Sequence, residues 1–409
     1  MTLTTARMAW RNLWRNPRRT TLAVAAIGLS LTLVLVYDGV LRAYADWMRA
    51  TMTGPLLGHV QAHAPEWRKD RAMDRTLRGA GAAVQAARRS PGVASASARV
   101  YAPALAALGE EGFAVLVLGL EPGPESRPTG LLAGAPEPPA GKRVLMGKAL
   151  AENMGVRPGD VVALVGQGAD GSLANDLFTV AGLVSTSVDF VNRQAVLMEL
   201  PVAQELFAMP DEAHELVIHG KEGTAARALA AEIAALPELA GAEVLDWERI
   251  APEMVALVRV VEVAWALVLV LVFVAAAAGV ANTMLMSTFE RTREIGMLLA
   301  LGTRPARIVA LVVSEAVVLG AVGVAVGVAL GGGLVAVAHH TGFDYQALTG
   351  RGPSELSFGG LRWSLVLYPR LAAVDVLRGA GAVLLTALLA AAWPASRAAR
   401  LEPSKALRS

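Results

Sequence analysis

Four apolar runs and one long polar stretch dominate the pattern along this chain. The runs extend from about Thr21 to Leu41, Val260 to Ser287, Ile308 to Ala338 and Leu371 to Trp393. Each reaches the ~20 residues that a helix needs to cross a hydrocarbon core. The polar stretch, residues 46–250, separates the first run from the second and is long enough for a domain of its own. Its pattern is mixed. "GFAVLVLGLEP" and "DFVNRQAVLMEL" read as strands, rich in Val and Leu, whereas "AAVQAARRS" and "GTAARALAAEIAALPELAG" read as helices. "GKALAENMGVRPGDVVALVG" reads as a helix, a Gly/Pro turn and a strand, and "GLEPGPESRPTGLLAGAPEPPAG" as a surface loop. The predicted fold is an α-helical membrane protein with four transmembrane helices plus a large mixed α/β domain between spans 1 and 2.

Charge at the ends of the runs orients them. Arg7, Arg11, Arg15, Arg18 and Arg19 precede the first run. Arg291, Arg293, Arg304 and Arg307 lie between the second and third, and Arg397, Arg400, Lys405 and Arg408 follow the fourth. Lys and Arg mark the cytoplasmic side of membrane helices, so both termini are expected in the cytoplasm and the α/β domain outside it. The first run can also be read as a cleaved leader, with "AYA" at its end as the cleavage site. It exceeds the ~7–15 apolar residues of such leaders, and Tyr44 and Trp47 suit a membrane interface, which favours an uncleaved anchor. The expected segments are 1–19, a basic amphipathic start; 20–45, the first span and a stalk; 46–250, the extracytoplasmic domain; and 251–288, a stalk and the second span. They continue with 289–307, a cytoplasmic connector; 308–339, the third span; 340–370, an outer loop; 371–394, the fourth span; and 395–409, a cytoplasmic tail.

Composition narrows the chemistry. Of 409 residues 54% are hydrophobic and 18% charged, and the net charge of +2 supplies no field to attract nucleic acid. Cysteine is absent, which excludes disulfides, iron–sulfur clusters and thiol catalysis. "GAPEPPAGKRV" approaches a phosphate loop but lacks its first glycine and has Arg143 where Ser or Thr is required. No G-x-S-x-G elbow is present. His59 and His63 are four apart without the H-E-x-x-H pattern and read as surface histidines; His339 and His340 read as interfacial. No catalytic residue and no metal site is predicted.

The connector "ERTREIGMLLALGTRPARIV" is the most informative stretch. On a helix, Ile295, Leu298 and Leu299 fall on one face, with Gly302 continuing the pattern. Gly302 can end that helix, and Pro305 suits the first turn of the next. Glu290 and Glu294 share a face and repel, flanked by Arg291 and Arg293. Two readings follow. In one, Glu290 pairs with Arg293 and Glu294 with Arg291 in a solvated turn; in the other, the amphipathic helix docks into a groove of another protein.

The connector resembles the cytoplasmic segment of the FtsX-like permease family, E-R-x-R-E-I-G-x-L-x-A-L-G followed by x-R-x-I. Glu290, Arg291, Arg293, Glu294, Ile295, Gly296, Leu298, Ala300, Leu301, Gly302, Arg307 and Ile308 carry the match. "RNLWRNPRRT", "SEAVVLGAVGVAVGVALG" and "WPASRAARLEPSKALR" are similar to the family's start, third span and ending, and "GKALAENMGVRPGDVVAL" to the periplasmic domain of MacB- and LolC/LolE-type permeases. The resemblance implies a dimerising four-span permease of the bacterial inner membrane, its second subunit the same chain or a paralogue. It also implies a cytoplasmic ABC ATPase dimer that binds ATP and Mg, with no cofactor in this chain. The missing phosphate loop suits a separate motor and argues against the MacB subtype proper, whose ATPase is fused at the N-terminus. Glu290, Arg291, Arg293, Glu294, Ile295, Gly296, Leu298, Leu299, Gly302 and Arg307 are then the residues expected to couple permease to ATPase. The leading function is extraction of lipoproteins from the outer leaflet, with membrane lipid and lipoprotein as substrate and a periplasmic chaperone or adaptor as partner. The alternatives are efflux of a peptide, drug or toxin, and FtsX-like signalling to a cell-wall hydrolase without transport.

Within the third span Gly320, Gly323, Gly327 and Gly331 suit close helix packing. Glu315 lies inside the same span, where an ionisable group is expensive and usually partnered; it can reach a cytoplasmic arginine such as Arg307 or neutralise itself, and a structural tether is expected over a proton relay. Asn282 reads as interhelical glue.

Overall fold

The computed structural model describes residues 17–344 except 129, 134 and 136, together with 357–358, 361–362 and 366–402. The expected basic start before Pro17, most of the 340–370 loop and the tail beyond Glu402 lie outside the described residues. The described residues form two units, a helical one (17–46, 257–344 and 366–402) and an α/β one (47–256, 357–358 and 361–362).

Among the described residues, the helical unit contains four helices long and apolar enough to cross a membrane. They run Pro17–Thr53, Pro252–Glu290, Pro305–Thr341 and Ala373–Ala399. The second and third begin on prolines, whose missing N–H is one of the donors a helix start leaves unpaired in any case. Ala23, Ile27, Leu31 and Leu35 recur every four residues along the first helix and form the centre of the bundle. They meet Val280 and Met284 of the second helix, Ala316 and Leu319 of the third, and Val383, Ala387 and Ala391 of the fourth. Small residues on the fourth helix leave room for the larger ones on the first.

In the α/β unit the main strands are β1 (Val60–His63), β2 (Leu77–Arg78), β3 (Val93–Leu108), β4 (Glu111–Leu120), β5 (Arg143–Gly147), β6 (Val161–Gln167), β7 (Leu173–Val184), β8 (Ala195–Glu199), β9 (Glu212–Ala213), β10 (Glu215–Gly220) and β11 (Glu243–Asp246). Nine of these form one sheet in the order β11-β1-β10-β3-β4-β8-β5-β7-β6, while β2 and β9 pair separately. The long strand β3 has two sets of neighbours. Its first half, Val93–Arg99, pairs with β10, and Ala104–Ala107 pair with β6. The sheet therefore closes on itself through β3-β4-β8-β5-β7-β6, and β10, β1 and β11 extend from the first half of β3, on the same edge that β6 joins further along. Closure leaves those six strands without a free edge. Phe178, Val196, Met198 and Phe207 fill the core together with Val60, Leu216 and Ile218.

Three sequence readings are corrected here. "DFVNRQAVLMEL" is helix over Asp189–Gln194 and becomes strand only at β8; the Asn192 side chain accepts from the Thr186 N–H at 2.7 Å and donates to the Thr186 carbonyl at 2.8 Å, folding the chain back locally. The Pro/Gly-rich stretch after β4 is anchored, not a free loop, because Glu125, Leu131 and Leu132 are buried. Glu125 receives both Arg99 nitrogens, Nε at 2.7 Å and Nη2 at 2.9 Å, plus the Ser97 hydroxyl and the Leu131 N–H. Burial alone would raise the Glu125 carboxyl, but Arg99 and these donors hold it below the usual carboxylate range. Third, His63 is fully buried and His59 half-buried, because β1 lies between β10 and β11 inside the sheet.

Burial also governs the other histidines of this unit. His59, His63, His214 and His219 all titrate below the ordinary imidazole value, chiefly because desolvation disfavours the cation; for His219, with Arg99 also opposing, the value falls to about 4. The unfolded chain takes up this proton near 6.5 while the fold does not, so stability is lost as pH falls from about 6.5 towards 4. The loss attributable to His219 is about 3 kcal/mol by pH 4. Unfolding followed by tryptophan fluorescence between pH 8 and 4.5 is expected to show a clearly shallower acid destabilisation in His219→Gln than in the wild type. An identical pH slope in the two proteins would contradict this assignment.

Candidate functional site

The connector is a helix, Thr292–Ala300, set between the second and third apolar helices. Its end is a complete glycine cap. Gly302 takes φ +85°, its N–H bonds the Leu299 carbonyl at 3.0 Å, and the Thr303 N–H bonds the Leu298 carbonyl at 3.0 Å. Pro305 then occupies the first turn of the third helix. Ile295 and Gly296 are buried, and Ile295 packs with Ile308, Val312, Ala395 and Ala398, with Leu299 against the same cluster. Leu298 does not share that face. It is 39% exposed, beside Met297 at 49% and Leu301 at 79%. Each helical step turns about 100°, so the two adjacent leucines point in different directions.

The charges divide in the same way. Arg291 joins two acidic groups: its Nη1 is 2.5 Å from Glu315 Oε1, and its Nε is 3.1 Å from Glu294 Oε2. Glu315 is thus tied to Arg291 and not to Arg307, which is exposed. Glu290 pairs with Arg19 of the first helix at 2.5 Å, not with Arg293. Glu290, Arg291 and Glu294 hold the connector to its own bundle, while Arg293 and Arg307 are exposed. Arg397 covers the Phe289 ring at 5.2 Å near the same end of the bundle.

The glycine stripe has a direct geometric meaning. A Cβ at Gly323 would fall on Ile27 Cγ2; one at Gly327 would lie 2.7 Å from Leu31 Cβ and 2.8 Å from the Gly28 carbonyl; one at Gly331 would lie 3.1 Å from Thr32 Cα. These three residues form the contact with the first helix, and the Thr32 hydroxyl reaches the Gly327 carbonyl at 3.4 Å. Gly320 faces the fourth helix instead, where a Cβ would lie 3.0 Å from Leu384 Cδ2. Asn282, expected between helices, is exposed, whereas Met284 is buried. At the other end of the bundle Arg42 pairs with Asp375 at 2.5 Å and Arg370 with Asp46 at 2.6 Å.

An apolar cavity of about 610 Å³ lies between the first and second helices. Leu33, Val36, Val40 and Leu41 form one wall, Val261 and Trp265 the other, and Leu367 closes it. Tyr37 stacks on Trp265 at 4.9 Å, and its buried hydroxyl has no hydrogen-bond partner among the described residues. No cluster of metal ligands occurs among the described residues. The long-range pairs Arg19–Glu290 and Arg291–Glu315 were not legible in sequence. The one available signal was an ionisable Glu315 inside a span, which demands a partner without naming it.

A family model described as the FtsX-like permease C-terminal domain matches residues 266–403. An uncharacterized ABC transporter permease of Methanocaldococcus jannaschii is 29% identical over 174 residues, covering 41% of this chain and 44% of that protein. The macrolide export ATP-binding/permease protein MacB of Nitrobacter winogradskyi is 37% identical over 129 residues, covering 32% of this chain and 16% of that protein. The chain therefore spans less than half the length of these relatives. Among solved structures, the periplasmic region of MacB from Actinobacillus actinomycetemcomitans aligns with a TM-score of 0.34 at 9% identity, covering 48% of this chain and 91% of that one.

Two outcomes are expected from this geometry. Gly327→Leu, which drives a side chain into Leu31 and the Gly28 carbonyl, should cost about 1–3 kcal/mol, and Gly333→Ala, with open space around it, should cost nothing; thermal unfolding in detergent separates the two. Arg291→Met should cost about 3–5 kcal/mol by taking a cation away from the buried Glu315 carboxylate. Adding Glu315→Gln should restore most of the loss, and Arg307→Met should be neutral in the same assay.

Proposed function

We propose that the chain, whose residues 266–403 match the FtsX-like permease C-terminal model, is the membrane subunit of an ATP-driven ABC-type machine that draws lipoproteins from the outer leaflet of a bacterial inner membrane. The observation that carries this reading is the cavity between the first two helices. Its apolar walls accept acyl chains, and the orphaned Tyr37 hydroxyl offers a donor to a polar head group. A second permease copy or paralogue, a cytoplasmic ATPase pair holding ATP and Mg, and a periplasmic acceptor complete the assembly, with both termini of this chain cytoplasmic. Of the residues expected to couple to the ATPase, Glu290, Arg291 and Glu294 are engaged within the bundle, and Ile295 and Leu299 pack inward. The docking face is therefore assigned to Arg293, Leu298 and the neighbouring Met297 and Leu301. The relatives named for macrolide export favour a second reading, efflux of a hydrophobic small molecule through the same cavity.

A reconstituted permease–ATPase complex is expected to release a membrane-bound lipoprotein to a soluble acceptor on ATP addition. Val40→Trp, which fills the cavity, should cut release at least tenfold while the ATPase still co-purifies, and Leu301→Glu should lose the ATPase. Absence of release, with ATPase activity stimulated by a macrolide, would replace lipoprotein extraction with efflux.

A further inference from the structure

The α/β unit holds a second cavity, of about 370 Å³, whose lining differs in kind from the first. Three of its polar residues are almost fully buried: Glu215 and Gln61, each 3% exposed, and Tyr101 at 9%. Gln61 Nε2 donates to Glu215 Oε1 at 3.2 Å, and the Tyr101 hydroxyl donates to the same oxygen at 3.3 Å. Burial raises the Glu215 carboxyl above its ordinary range, against the pull of Arg99 and Arg71. Buried polar groups of this kind are costly to maintain without a role.

Two guanidinium groups line the same space. Arg71 sits 4.3 Å over the Trp67 ring and 5.8 Å from that of Tyr101, so its orientation is set by stacking. Its backbone lies in the left-handed region, at φ +54°, which is unfavourable for a residue with a Cβ and occurs disproportionately at functional sites. Arg68 donates to the Ile250 carbonyl at 3.1 Å. Leu56, Leu57, Leu116 and Phe190 supply an apolar wall.

We propose that this cavity binds a small amphipathic carboxylate that also carries an amino group or another hydrogen-bond donor. Arg68 and Arg71 receive the carboxylate, Glu215 accepts from the donor, and the leucines and Phe190 cover the apolar body. The volume suits one small molecule. Two arginines beside one carboxyl group match a ligand with a single negative charge; a phosphate dianion would bring a second charge against Glu215. A purely apolar ligand would displace water from Arg68, Arg71 and Glu215 without replacing its hydrogen bonds. This site is separate from the membrane cavity and its assignment does not depend on the transported substrate.

The test uses the full chain in lipid nanodiscs, with alanyl-phenylalanine as the probe and isothermal calorimetry as the readout. Saturable binding is expected, at least tenfold weaker for the C-terminal amide of the same dipeptide and at least tenfold weaker in Arg71→Ala, an exposed position whose change spares the core. N-acetylation of the dipeptide should also weaken binding in the wild type and matter less in Glu215→Gln. No saturable binding of the dipeptide, equal affinity in Arg71→Ala, or tighter binding of benzyl phosphate than of the dipeptide would overturn the proposal.

Discussion

Between Gly323 and Gly331 the third apolar helix approaches the first so closely that Ile27 and Leu31 occupy the space its own side chains would need. In a hydrocarbon solvent, helices gain little from burying apolar surface against each other, because lipid is equally apolar. Close van der Waals contact must supply the attraction, and only glycine permits backbones to meet at this distance. The rest of the bundle follows from that contact. Leu31 and Leu35, fixed against the stripe, also meet Gly379 of the fourth helix. The second helix stays largely outside the bundle core, and the cavity lined by Tyr37 and Trp265 opens on its inner side.

Charge placement follows the same logic of a costly environment. Glu315 lies where an unpaired carboxylate would be prohibitive, and Arg291 reaches it from the connector while also holding Glu294. The carboxylates of the connector thus serve the bundle, and Arg19 with Glu290 adds a third tie. This leaves the outward face of the short helix to Arg293, Met297, Leu298 and Leu301, a patch with little charge and large side chains. Such a patch is consistent with a groove-filling role, in which apolar anchors give affinity and a single cation orients the pair.

What could be read from sequence was local. The four apolar runs, the Gly302 stop, the Pro305 start and the helix–turn–strand rhythm around Gly155 depend on residues a few positions apart, and their signals survive without the fold. The phase of the connector did not survive: a helical projection groups Ile295, Leu298 and Leu299, but which edge of that arc turns inward is decided by Ile308 and Ala395, far along the chain. Arg99 and Glu125 present the same difficulty, since a Pro/Gly-rich stretch looks solvent-bound until a buried arginine claims its carboxylate. Likewise β3 is one continuous strand, and nothing read from the sequence reports that it changes partners midway.

Arginine solves a repeated problem in the α/β unit. Arg99 donates to the Pro55 and Leu56 carbonyls, just after the first apolar helix ends at Thr53, and Arg68 donates to the Ile250 carbonyl, just before the second begins at Pro252. Chain entering or leaving a helix carries backbone acceptors with no regular partner. A guanidinium answers this better than an ammonium, because its planar fork bonds several oxygens in fixed directions and stays charged when buried. Arg99 uses the fork fully, with Glu125 balancing its charge. Arg68 has its Nη2 on the Ile250 carbonyl and also lines the polar cavity, where Leu56 forms part of the wall. The entry segment, through Leu56 and Leu57, thus lines that cavity beside the arginine that holds the exit carbonyl.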